Sequence, residues 1–265
     1  SSIALRIFQV ENSSEVPYTI NAAPATIPIV SPTKVGYKFD GWYTESGFTN
    51  KVTQIVKGST GNKTYYAITK SEVKTYTATF NLNGASKLTN ASGTAVASDV
   101  TRSCNIPTTY NGVSQATSCE ITTPTITAST NTSTVCGFTT STTGTSTCTV
   151  KQNATLALTQ ATSTYYAQTY KAKVTKSVAF KIAASSNVSK ITSGSTSVTN
   201  TTDSITLTCD IAAVYNGATQ ATSCNVTSPT ITPEIGYKSA FWGTSASATS
   251  GTNINGATGS TYTVG

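Results

Sequence analysis

The sequence predicts an all-β or β-rich chain: three tandem small β modules in an elongated rod. A repeat predicts it first. Tyr110-Asn111-Gly112-Val113-Ser114-Gln115-Ala116-Thr117-Ser118-Cys119 recurs 105 residues on as Tyr215-Asn216-Gly217-Ala218-Thr219-Gln220-Ala221-Thr222-Ser223-Cys224, and the same offset carries Cys104 onto Cys209 and Pro124-Thr125-Ile126-Thr127 onto Pro229-Thr230-Ile231-Thr232. Repetition of a small β unit supplies length, valency or a stalk, whereas catalysis needs one specialised site. Composition points the same way: serine and threonine make up about a third of the 265 residues and charged residues only 10%, a balance suited to exposed β-structure. Finally, no window sustains a helical apolar period, and none approaches the ~18 apolar residues that a membrane span requires.

The first unit, residues 1–72, opens with Ile3-Ala4-Leu5-Arg6-Ile7-Phe8-Gln9-Val10. Ile3, Leu5 and Ile7 alternate as in a half-buried strand, and their terminal position makes them a candidate segment for strand addition to a neighbouring molecule. Prolines at 17, 24, 28 and 32 break any long element. Pro32-Thr33-Lys34-Val35-Gly36-Tyr37-Lys38-Phe39-Asp40-Gly41-Trp42-Tyr43-Thr44 follows, and the unit closes at Thr64-Tyr65-Tyr66-Ala67. This fixed order of aromatics and glycines, followed by a Tyr-Tyr-Ala strand, resembles the internalin-type B repeat, or Listeria–Bacteroides repeat, of bacterial cell-surface proteins. The resemblance implies a small β-grasp-like fold for this unit and an extracellular or bacterial cell-surface location.

The second unit, 73–170, starts at Thr75-Tyr76-Thr77-Ala78-Thr79-Phe80 with an Asn83-Gly84 turn and ends at Thr164-Tyr165-Tyr166-Ala167; Gly137-Phe138 stands for the Gly-Trp pair. The third, 171–265, starts near Lys176-Ser177-Val178-Ala179-Phe180, keeps Gly236-Tyr237 and Trp242, and reads as closing on Thr261-Tyr262. Both are remote relatives of the first, enlarged by a cysteine-bearing insertion into disulfide-stapled β units. The missing methionine, even at position 1, and the lack of a signal-like segment mark the chain as a processed product or a fragment, with any anchor outside it.

The six cysteines are even in number, fall in the later units and repeat with them, a pattern of disulfides in an oxidising compartment. Asn111-Gly112 and Asn216-Gly217 are two-residue hairpin signals, because a type I′ turn needs positive φ at both central positions. Cys104 and Cys119 are symmetric about the first pair, and Cys209 and Cys224 about the second. The hairpin reading therefore sets each pair across one ladder, with Cα atoms about 5.5 Å apart. Cys136 and Cys148 then form a local staple around Thr142-Thr143-Gly144.

Catalytic machinery is not expected. There is no histidine, so Ser-His-Asp and Cys-His arrangements are excluded. No Cys-x2-Cys zinc spacing and no Gly-rich phosphate loop occurs, and no metal or cofactor is expected. Asp40 with Glu45 is the nearest thing to an acid/base pair, and a solvated turn explains it better. Tyr37, Phe39, Trp42 and Tyr43 read as core, matched in unit three by Tyr237, Phe241 and Trp242. Tyr43 is the member expected to be exposed, and with Tyr37 it is the candidate ligand or partner contact. A net charge of +7 without a lysine run admits cell-wall polymers or host glycans as partners and gives no nucleic-acid motif. The resulting functional reading is a stalk or adhesin segment whose partners are neighbouring copies or modules. Its alternatives are a self-assembling filament subunit and a carbohydrate-binding module.

Overall fold

A computed structural model describes residues 2–8, 13–19, 25–26, 37–56, 61–110, 113–238, 241–245 and 259–265. Among these residues every regular element is a β-strand. Buried apolar side chains gather into three separate clusters that follow one another along the chain.

The first core rests on β1 (Ser2–Phe8), β2 (Ser13–Thr19), β3 (Tyr37–Tyr43) and β4 (Lys63–Ser71), in the sheet order β2-β1-β4-β3. β1 runs antiparallel to β2 and parallel to β4, and β3 returns antiparallel to β4. This mixed sheet with a parallel central pair is the arrangement expected of a β-grasp-like unit. It also corrects the reading of Ile3, Leu5 and Ile7 as a free edge. β1 is interior to the sheet, Leu5 pairing with Val16 on one side and Lys63 on the other, because the chain folds back at once through β2 and the Tyr-Tyr-Ala strand returns along the opposite edge. Leu5 and Ile7 are thus paired on both sides and Ile3 with β2 alone, which leaves little free ladder for a neighbour's strand.

A bulge explains the aromatic run. The β3–β4 register shifts between Phe39 and Gly41, where Gly41 has φ 143°. Strand side chains alternate faces, so Phe39 and Trp42, three apart, would face opposite ways; one extra residue puts both on the core side. Their rings meet edge to face at 5.6 Å, and Trp42 lies opposite the small Ala67.

The second core repeats this plan. β5 (Lys74–Asn81), β6 (Val100–Ile106), β8 (Thr134–Thr139) and β10 (Thr162–Lys171) form the order β6-β5-β10-β8, while β7 (Cys119–Thr122) and β9 (Thr155–Leu158) pair separately. β5 and β10 are parallel. The bulge recurs at Gly137 with φ 134°, bringing Val135 and Phe138 to one face, with Phe138 opposite Ala167. Phe80 and Phe138 are fully buried. They meet edge to face at 4.9 Å, and Tyr165 of β10 stacks on Phe80 at 5.3 Å.

The third core holds copies of two of these pairs. β11 (Val174–Phe180) with β12 (Ile205–Ile211) reproduces β5 with β6, and β13 (Cys224–Thr227) with β14 (Thr261–Val264) reproduces β7 with β9. Cys224 lies opposite Val264 as Cys119 lies opposite Leu158. Beside these pairs, Ser228 and Ser260 exchange the hydrogen bonds that Thr123 and Ala154 exchange in the second core. Thr261–Val264 is therefore the counterpart of β9, not of the closing Tyr-Tyr-Ala strand that the sequence suggests; a short Thr-Tyr strand fits either place, and the pairing decides.

The disulfides join Cys104 to Cys119, Cys136 to Cys148 and Cys209 to Cys224. The hairpin geometry proposed for them is not what the fold uses. Cys104 lies in β6 opposite Tyr76, and Cys119 in β7 opposite Leu158, so this bond staples one sheet to another, with Cα atoms 5.9 Å apart. Cys209 and Cys224 do the same in the third core. The Asn216-Gly217 turn does form, with φ 51° and 80° and Ala218 N–H donating to Tyr215 O at 3.0 Å. Its ladder stops short because Val214–Tyr215 pairs with β10 instead. Asn111-Gly112 lies outside the described residues.

Candidate functional site

Two regions carry the residues singled out from sequence: the charged end of β3 in the first core, and the seams where one core meets the next.

At the end of β3, Tyr43 is buried, with 8% of its surface accessible. It is not the exposed member of the aromatic run. The bulge turns it away from the Phe39–Trp42 face, and its hydroxyl donates to Asp40 Oδ2 at 2.8 Å. Phe48 covers its ring edge to face at 5.8 Å. The hydrogen bond to Asp40, followed by burial, pushes the phenol up to about 12. Asp40 also pairs with Lys70, whose hydrogen bond is the main reason its carboxyl lies below the ordinary range. Glu45 accepts from the Thr44 and Thr49 hydroxyls and from the Asn50 N–H, in that order of effect, and is held at about 2. Asp40 and Glu45 are thus both committed to structure, one to an ion pair and one to the turn from Thr44 to Asn50. Among the described residues no group of three or more acidic, histidine or cysteine side chains could hold a metal ion, and every cysteine is in a disulfide.

Tyr37 is half-buried, and its hydroxyl donates to Val113 O across the first seam. It meets another part of this chain. In the third core Trp242 is buried against Phe180, ring centroids 4.8 Å apart, and donates from Nε1 to Pro229 O at 3.2 Å. Tyr237 and Phe241, read from sequence as packing beside it, are 53% and 42% exposed.

The seams reuse one device. After β4 and again after β10, the chain is held by a glutamine whose amide spans the connection. Gln115 Nε2 donates to Glu72 O at 2.7 Å and Pro107 O at 3.1 Å. Gln220 Nε2 donates to Ala172 O at 2.8 Å and Ala212 O at 3.0 Å. The repeated tyrosine follows suit, Tyr110 bridging to Lys70 and Tyr215 pairing with Tyr170. At the first seam Ser71 and Thr109 also exchange hydrogen bonds, Ser71 N–H to Thr109 O and Thr109 N–H to the Ser71 hydroxyl Oγ, both 2.9 Å.

The second seam is the closer fit. Asn216 N–H donates to Thr169 O at 2.8 Å, and Asn216 Oδ1 accepts from Thr169 N–H at 3.3 Å. The Asn83-Gly84 and Asn216-Gly217 turns meet backbone to backbone: a Cβ at Gly84 would collide with the Asn216 carbonyl, and Gly84 O is within 2.9 Å of a Cβ placed at Gly217. Tyr215 lies over Gly144, where a Cβ would strike its ring. Gly144 belongs to the loop closed by Cys136–Cys148. Into the same loop, fully buried Gln168 of β10 donates to Thr139 Oγ1 at 3.0 Å and Ser141 O at 2.9 Å. That disulfide therefore shapes a receiving surface as well as stapling its own core. The Tyr-Asn-Gly-x-x-Gln repeat reads as a hairpin from its Asn-Gly pair alone, which gives no sign of its contacts with the preceding core. The signal was present in the recurrence of the glutamine at both short connections.

Residues 7–68, the span of the first core, match the family model of the Listeria-Bacteroides repeat domain. No curated protein matches the chain. The matched family is a repeat type of surface-protein regions, and the disulfides are compatible with an extracellular setting.

Proposed function

We propose that the chain is a non-catalytic structural segment, a stalk or run of adhesin repeats, of a bacterial secreted or cell-surface protein. Its modules are residues 1–72, 73–170 and 171–265. The repeated seam carries this reading: at each connection a glutamine ties the linker to the following module, and a tyrosine adds its backbone to the closing strand of the preceding one. Freely swinging domains have long polar linkers with few crossing contacts. Here the linkers are short and hydrogen-bonded, which suits a spacer that holds a distal partner-binding region at a fixed distance. The family match and the disulfides support the cell-surface setting. Cell-wall polymers or host glycans stay outside this core reading, since of the two candidate contact residues Tyr43 is buried and Tyr37 donates to Val113 O.

Electron microscopy of the unreduced protein at several dilutions tests the proposal. Single short rods of constant length and limited bending are expected. Beads that bend freely near residues 72 and 171 would contradict it, and filaments that persist on dilution would favour an assembling subunit instead.

A further inference from the structure

Both tight turns at the second seam are Asn-Gly pairs, Asn83-Gly84 and Asn216-Gly217. The pair suits such turns because both residues accept positive φ, here 43° and 88° in the first and 51° and 80° in the second. The same dipeptide is also the one most open to deamidation by its own backbone, because glycine has no Cβ to keep its nitrogen away from the asparagine side-chain carbon. That nitrogen attacks Cγ and a five-membered succinimide closes. The Cγ–Nδ2 bond breaks, ammonia leaves with the glycine amide proton, and water then opens the ring to aspartate or isoaspartate.

The seam holds Asn216 out of this reaction. Its side-chain amide is gripped at both ends by the second module, Oδ1 accepting from Thr169 N–H at 3.3 Å and Nδ2 donating to Thr142 O at 3.4 Å. Its backbone N–H donates to Thr169 O at 2.8 Å. Gly217, by contrast, is exposed. Water and base therefore reach the attacking nitrogen, and the grip on the Asn216 amide is what restrains the step. Thr142 O also receives Nδ2 of Asn83, at 3.5 Å, while Asn83 donates to Ala167 O at 3.0 Å. One carbonyl on the loop closed by Cys136–Cys148 thus takes both seam asparagines.

We propose that Asn216 is a deamidation site gated by the seam, protected while the second and third modules are joined and reactive when they part, and that its conversion makes the parting irreversible. The proposal rests on the closed seam of the reading above. The product cannot remake the joint for two reasons. A carboxylate has no proton to give Thr142 O and sets a negative charge against it. Isoaspartate routes the backbone through the former side chain, which adds a methylene to a turn packed backbone to backbone on Gly84.

The test incubates the whole unreduced chain, the same chain carrying Gly144→Val, and a free peptide of residues 214–220 in one mildly alkaline buffer. Peptide mass mapping reads the replacement of NH2 by OH at Asn216. Gly144→Val is chosen because a Cβ there strikes the Tyr215 ring while the turn sequence stays intact. Exchange of the Thr169 amide, whose hydrogen Asn216 Oδ1 holds, reports whether the seam has opened, and Gln220→Ala is added if it has not. Deamidation in the unaltered chain should be slower than in the peptide by about tenfold or more, because it waits on local opening, and the opened variant should approach the peptide. The deamidated chain, separated by its extra negative charge, should exchange at Thr169 as the opened variant does. Equal rates in chain and peptide with Thr169 protected would overturn the proposal and leave the seam reading intact, whereas equal rates with Thr169 unprotected would overturn both. An opened variant that still deamidates slowly, or a deamidated chain that keeps Thr169 protected, would also overturn the proposal.

Discussion

The second and third cores share one pattern, but β8 and β10 of the second have no counterpart strand among the described residues of the third. Both open with a strand carrying a buried phenylalanine at or next to its last position, both set an aromatic ring edge to face on it, and both staple two sheets with a disulfide spanning a sequence separation of 15. In the second, β10 pairs on both sides and buries Ala78, Phe80 and Phe138 completely. In the third the same ring pair survives while Tyr237 and Phe241 are open to solvent. The shared features show that in both cores an aromatic pair and a disulfide lie between the two sheets, and in the second the central parallel strand covers the face beside them.

Core truncation should expose this difference most strongly. Phe80→Ala removes a fully buried ring from a closed core and should cost about 3–5 kcal/mol, whereas Phe180→Ala should cost clearly less, because its neighbourhood is already partly open. Since three cores need not melt as one, the readout is amide exchange resolved to β5 and to β11. Equal losses would mean that the third core is as closed as the second.

The disulfides come next. Replacing both cysteines of Cys104–Cys119 or of Cys209–Cys224 by alanine should cost about 3 kcal/mol each in the chain-entropy picture, since the two bonds close loops of the same length. The third core, with fewer paired strands among the described residues and no second disulfide, should lose protection throughout, while the second stays folded. Survival of the third alone would reverse the ranking of the two.

A smaller effect is expected at the second seam. Gly84 has φ 88° and is backed by the Asn216 carbonyl, so Gly84→Ala combines an unfavourable backbone region with a collision, together about 1–3 kcal/mol. The strain should be relieved by parting the seam, visible as faster exchange at Asn216 with the β5 core protected. Gly93, also at positive φ but with open space around it, is the control, and Gly93→Ala should leave the seam closed.

The smallest effect is one of pH in the first core. The Tyr43 phenol is raised to about 12 from its ordinary value of 10. The folded state therefore favours the neutral phenol, and its contribution, complete below pH 10, is lost as pH rises from 10 toward 12. Asp40, held low mainly by Lys70, acts at the opposite end: its contribution is present above its ordinary range and fades as pH falls below it. Thermal melts between pH 9 and 12 should flatten when Tyr43→Phe is introduced, and an unchanged slope would remove the Tyr43–Asp40 bond from the explanation.

Much of this was legible in the sequence, for identifiable reasons. The 105-residue repeat marks equivalent strands, and the shared Gly-aromatic pair marks Gly41 and Gly137, because a bulge that places residues three apart on one face favours the conformations glycine adopts easily. The burial of Tyr43 was not legible, since alternation counted along β3 misses the extra residue that turns it toward Asp40. Symmetry of the cysteines about Asn216-Gly217 suggested a single ladder. A tight turn alone satisfies that symmetry, and the strand that takes up Val214–Tyr215 is β10, far off in sequence. Ile3, Leu5 and Ile7 show the same limit, because alternation identifies a strand and says nothing of which neighbours flank it.

Residual dipolar couplings measured on the whole chain test most directly whether the seams fix one module against the next. Amides of the second and third modules should fit a single alignment tensor, and the fit should separate into two when Asn216 and Gln220 are both changed to alanine. Two tensors of different magnitude in the unaltered protein would contradict a rigid seam and leave the modules as independent beads.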